Sequence, residues 1–181
     1  MENLVDSDEK KIKELLPIRL ISTVVKGFGR GSTDLGIPTA NVSRDDCSCS
    51  FDALPCGIYW GYARVEPSAD VYKTAVSIGY NPTYGNTFKT VEPHFIAPPN
   101  HPERHASNCN ETQFTTNFTG RRIKLSVIGY LRPELPFNGL DSLISAIRKD
   151  IVDTESLGEN PDNDTLIQKE NEWVQSDSLT I

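Results

Sequence analysis

Apolar positions along this chain follow two different periods. From Ile18 to Val25 the residues are largely β-branched, which predicts a strand. Strand-like runs recur at Gly57–Glu66, Tyr72–Gly79, Phe88–Ile96 and Arg122–Leu131. In the last of these, Ile123, Leu125 and Val127 alternate with Lys124 and Ser126, the period-2 pattern of a half-buried strand. Short strands separated by turn residues, with no helices between them, favour an antiparallel barrel over a parallel sheet. The period then lengthens. Leu140, Leu143, Ile144, Ile147 and Ile151 form one apolar helical stripe, which Asn138 or Gly139 can begin and Gly158 with Pro161 can end. That predicts a helix over 139–158, expected to pack across an open end of the barrel. Leu166, Ile167, Trp173 and Val174 predict a second short helix. Residues 1–16 are charged with loosely helical apolar spacing and read as a weakly held helix or frayed N-terminal arm. Residues 17–181 then make one domain.

Composition narrows the classes. With 18 Lys and Arg against 25 Asp and Glu, the net charge of −7 argues against nucleic acid or an anionic membrane as partner. No apolar run is long enough to span a bilayer, and the N-terminus lacks a signal-peptide pattern. A cytoplasmic monomer is expected, with import into an organelle left open. The cysteines at 47, 49, 56 and 109 lack zinc-finger spacing, and reduced thiols are the default reading. Residues 97–116 shift to Pro98, Pro99, Asn100, His101 and Pro102, a polar insertion in an otherwise compact domain.

Candidate chemistry concentrates in residues 27–41, Gly-Phe-Gly-Arg-Gly-Ser-Thr-Asp-Leu-Gly-Ile-Pro-Thr-Ala-Asn. Gly27, Gly29 and Gly31 let the backbone lie close against another molecule, and successive N–H groups in such a turn bind anions. Arg30 adds a permanent positive charge. Thr39 and Asn41 offer hard neutral oxygens of the kind that suit Mg²⁺ when phosphates complete its shell. The set suggests a nucleoside triphosphate. It is not a P-loop, since no Gly-Lys-Ser/Thr occurs, nor a dinucleotide fingerprint, since Gly36, Pro38 and Asn41 forbid a helix directly afterwards. A plain glycine-rich hairpin, with Asn41 capping its own turn, is the structural alternative.

The complete string resembles the signature of the riboflavin kinase (flavokinase) family. Three further segments are similar to that family in the same order: Ser77–Asn86, Thr90-Val91-Glu92-Pro93-His94, and Gly129–Glu134 followed by Phe137, Leu140 and Ser142-Leu143-Ile144. The resemblance implies a mainly β fold, a six-stranded antiparallel Greek-key barrel with a long C-terminal helix. It implies a monofunctional kinase that transfers the ATP γ-phosphate to riboflavin, giving FMN and ADP, with Mg²⁺ or Zn²⁺. Glu92 becomes the candidate general base. Lys26, Gly27, Gly29, Arg30, Gly31, Ser32, Pro38, Thr39 and Asn41 become candidates for the nucleotide and metal. Arg132, Phe137, Leu140 and Ile144 surround a slot for the flavin ring. The chain departs from the family at Asn117-Phe118-Thr119-Gly120, where an Asp-Phe-Tyr-Gly is usual, so no role of that Tyr transfers to Thr119. The rival from another class is a flavin-binding barrel that stores or delivers FMN without catalysis. It would need neither metal ligands nor a base.

Overall fold

Six β-branched and aromatic segments form a single antiparallel sheet, and the side chains of its inner face explain why. The computed structural model describes residues 10–25, 40–80, 88–96, 119–158 and 165–177. The strands are β1 (Ile18–Val25), β2 (Asn41–Val42), β3 (Gly57–Val65), β4 (Tyr72–Tyr80), β5 (Lys89–Ile96) and β6 (Arg122–Arg132). Their spatial order is β2-β1-β6-β3-β4-β5, and every pairing is antiparallel. Strands β3, β4 and β5 follow one another as neighbours while β6 returns beside β3, the Greek-key arrangement. The Ala40 N–H donates to the Pro93 carbonyl at 3.0 Å, drawing the chain before β2 against β5 and nearly closing the barrel.

Inside lie Leu20, Val24, Tyr59, Ala63, Val76, Ile78, Val91, Phe95, Ile123, Leu125 and Val127, one buried cluster built from alternate strand positions. Curvature needs close strand approach at one bulge. Register slips between Trp60 and Gly61, where a Cβ would sit 1.8 Å from the Ser126 carbonyl oxygen, so only glycine fits.

Two helices follow the strands, α1 (Leu140–Ser156) and α2 (Thr165–Gln175). Helix α1 docks along the outer face of β4 and β5 rather than across a barrel end. Ile147 and Ile151 pack on the outward-facing Ile96, and the Lys73 ammonium donates to the Glu155 and Leu157 carbonyls at 2.6 Å each. Helix α2 covers the outer face of β1, β3 and β6. Its Ile167, Trp173 and Val174 pack on Ile21, Trp60, Tyr62 and Ile128.

That second layer corrects the half-buried reading of β6. Lys124 is only 3% exposed and Ser126 is fully buried, because α2 supplies partners for both. The Lys124 ammonium donates to the Trp173 carbonyl at 2.6 Å, and the Ser126 hydroxyl donates to Glu170 at 2.7 Å. Of the two readings of the N-terminal segment, the described part takes the helical one. Residues 10–15 are helical, and Ile12 is buried in the barrel core.

Candidate active site

Strand β5 presents Thr90, Glu92 and His94 on the outer face, since Val91 and Phe95 point into the barrel. Glu92 lies opposite Ser77 and Thr90 opposite Gly79 on β4. The Thr90 hydroxyl lies 3.3 Å from Glu92 Oε1 and 3.2 Å from the Gly79 carbonyl oxygen, a geometry in which it can donate to either. Burial raises the Glu92 carboxyl above the ordinary glutamate value, the Thr90 hydroxyl lowers it, and the nearby Glu134 charge raises it further. Burial alone pushes His94 down to about 4, so its imidazole is neutral at pH 7.

Glu134 ends the Gly129–Glu134 motif, and the sequence alone assigns it no role. After β6 the chain folds over β4, and a Cβ at Gly79 would lie 1.9 Å from Glu134 Oε1. Glycine at 79 therefore makes room for a second carboxylate on the face that carries Glu92. Burial raises Glu134 while Arg132 lowers it. No periodicity announces such a contact, because it joins residues 55 positions apart through the sheet.

Arg132 is committed within the protein. Its Nε and Nη2 donate to the two carboxylate oxygens of Asp150 at 2.7 and 2.6 Å, and Nη1 donates to the Pro133 carbonyl at 3.0 Å. The guanidinium also lies 6.0 Å from the Phe137 ring centre. Asp150 is 4% exposed, so this fork ties the end of β6 to α1 through a buried carboxylate. Sequence reasoning missed Asp150, which sits on the helix as one acidic residue among several. Phe137, beside this tie, and Ile144 are half-buried, and Leu140 opens α1.

Asn41 starts β2, is 9% exposed and lies opposite Val25. The Ala40–Pro93 hydrogen bond brings it to the strand that carries Glu92. Lys26, Gly27, Gly29, Arg30, Gly31, Ser32, Pro38 and Thr39 lie outside the described residues, as do the polar insertion at 97–116 and residues 81–86 of the second motif. Among the described residues no cluster of three or more His, Cys, Asp or Glu could hold a metal, and no helix is long and apolar enough to cross a membrane.

The flavokinase family model, that of riboflavin kinase, matches residues 15–157. This chain belongs to the riboflavin kinase family. It is 41% identical to human riboflavin kinase over 160 residues, covering 88% of this chain and 92% of that protein. Mouse riboflavin kinase is 41% identical over 152 residues, with 82% and 85% covered. The crystal structure of riboflavin kinase from Trypanosoma brucei matches with a TM-score of 0.57 at 23% identity, covering 91% of this chain and 90% of that one. The last likeness bears on the fold, and it agrees with the six-stranded barrel described above. All four motif segments fall within the matched residues of the riboflavin kinase family.

Proposed function

We propose that this chain is a riboflavin kinase that moves the γ-phosphoryl group of ATP onto the ribityl 5′-hydroxyl of riboflavin, giving FMN and ADP. The observation that carries the reading is the seam between the Ala40–Asn41 segment and β5. It sets an oxygen donor that follows the glycine-rich loop beside the strand of a half-buried carboxylate. A storage barrel would have no use for that pairing.

Phosphoryl transfer to an alcohol asks for positioning and charge neutralisation more than for covalent chemistry. Glu92 takes the proton of the attacking hydroxyl. Its raised pKa makes it a stronger base than an exposed glutamate, and the Thr90 hydroxyl holds its orientation. Glu134 keeps that pocket electronegative, which favours proton uptake by Glu92. The glycine-rich run with Lys26 and Arg30 receives the phosphates, and Phe137 with Ile144 lines the flavin slot. Arg132, already held by Asp150, keeps Phe137 in place and offers only its planar face to a ring.

Mg²⁺ fits the donor set. Asn41 brings a neutral amide oxygen that no described residue hydrogen-bonds, and the few protein ligands leave most of the shell to phosphate and water. Thr39 and Asn41 would hold the ion, which would neutralise charge on the transferred phosphoryl group. Incubation with riboflavin, ATP and Mg²⁺, followed by separation of flavins, should yield FMN. Riboflavin binding without FMN would instead favour the storage barrel.

A further inference from the structure

The loop between β2 and β3 holds a second piece of chemistry that phosphoryl transfer does not use. Cys47 and Cys49 are both half-buried against the barrel core, and both line a concavity of about 360 Å³ with Arg44, Phe51 and Asp52. The loop is pinned on either side of Cys47. Asp46 accepts from the hydroxyls of Ser22 and Thr23, and the Ser48 hydroxyl accepts from the Ile21 N–H at 2.7 Å. The Ser48 N–H in turn donates to the Ile21 carbonyl at 3.0 Å. The backbone bends at Ser48 and Cys49, and the two cysteines, one residue apart in the chain, line the same concavity. A loop pinned on both sides keeps the two thiols on one side of the barrel, within the short reach that their spacing in the chain allows.

We propose that Cys47 and Cys49 form a reactive dithiol, an oxidant-modified site that a hydroperoxide converts to an intramolecular disulfide. Cys47 is the nucleophile. The Cys49 side chain and its backbone N–H favour the Cys47 thiolate, Arg44 adds positive charge, and burial and Asp46 oppose, which together bring Cys47 down to about 7. The Cys47 side chain and burial push Cys49 up, which makes it the resolving partner. The Cys47 thiolate attacks one peroxide oxygen and the O–O bond breaks, leaving a sulfenic acid and hydroxide. The Cys49 sulfur then attacks the Cys47 sulfur. Its S–H proton joins the departing hydroxide as water. Overall two thiols and one peroxide give one disulfide and two waters, the sulfurs losing the two electrons that the peroxide gains. Disulfides of this kind inside cells are typically transient and redox-sensing.

The test uses the reduced full chain and hydrogen peroxide. Cleavage after Phe51 separates Cys56 from the pair, so peptide mass spectrometry should find the loss of two hydrogens between Cys47 and Cys49 alone. In Cys49→Ser, dimedone should trap a sulfenic acid on Cys47, and in Cys47→Ser neither adduct nor disulfide should form. On the wild-type chain, iodoacetamide at pH 7 should label Cys47 about three- to fivefold faster than Cys56, since greater ionisation outweighs the weaker nucleophilicity of a low-pKa thiolate. That rate should level off just above neutral pH. Disulfides to Cys56 or Cys109, cross-linked dimers, or equal labelling rates would each overturn the proposal.

Discussion

Glu92 is caught between burial, which opposes its charge, and the proposed role as base, which requires it ionised. Its raised pKa means that the folded protein holds the proton more tightly than the unfolded chain does. Its contribution is therefore most favourable below the ordinary glutamate value and is lost as pH rises through the folded pKa. Two outcomes follow for Glu92→Gln. Turnover should fall by about 10² or more while ATP and riboflavin still bind, measured by steady-state kinetics and flavin fluorescence. The thermal midpoint at pH 7 should hold or rise, and the difference should shrink at acidic pH. A turnover near wild type would remove Glu92 as base. Asn41→Ala should raise the Mg²⁺ concentration for half-activity with little change in flavin affinity without nucleotide, and Thr39→Val should act in the same direction. An unchanged Mg²⁺ titration in both would leave the two residues as turn members. At this scale the sequence singles out a residue that sits inside a motif, as Glu92 does. It is silent where the partner is distant, as with Glu134 over Gly79.

Helix α1 illustrates what periodicity can and cannot reveal about an element. Its apolar stripe predicted a helix, and the structure has one from Leu140 to Ser156, entered from Gly139 at φ 129° and followed by Gly158 at φ 67°. The face against which it docks was not legible. That choice depends on Ile96, Lys73 and Arg132, which belong to three different strands. The Arg132–Asp150 fork gives the docking its direction. Asp150→Asn weakens both hydrogen bonds and leaves a guanidinium without its counter-charge near buried surface. It should cost roughly 2 kcal/mol in urea unfolding, below a fully buried pair because Arg132 is partly exposed. Riboflavin affinity should fall as well, since Phe137 loses its neighbour, whereas affinity for ATP should not.

The whole barrel carries a helix on each of two outer faces. Alternation along β6 marked its inner positions correctly, yet a single strand cannot show that Lys124 and Ser126 will be covered by a helix about forty residues later. Glu170, 2% exposed, accepts from Arg19 at 2.9 and 3.0 Å and from Ser126 at 2.7 Å, which fixes α2. Glu170→Gln should lower stability by about 2–3 kcal/mol and leave kcat within twofold, since this network lies away from Glu92. A large loss of kcat with the fold intact would show that the two faces are coupled. Replacing residues 98–113 by a short glycine-serine link should likewise spare turnover, because loop closure costs grow only logarithmically with length. Lost riboflavin binding in a folded variant would make that segment a lid. The Ala40–Pro93 seam has one more consequence. An amide proton shut in a seam exchanges with solvent only when the seam parts. Any ligand that grips both strands lowers the open population by a factor of one plus its concentration over its Kd, about a hundredfold at a hundred times its Kd. Deuterium uptake at Ala40 is thus a built-in gauge of the nucleotide and metal binding proposed for this seam, readable without turnover and without any label on the ligand.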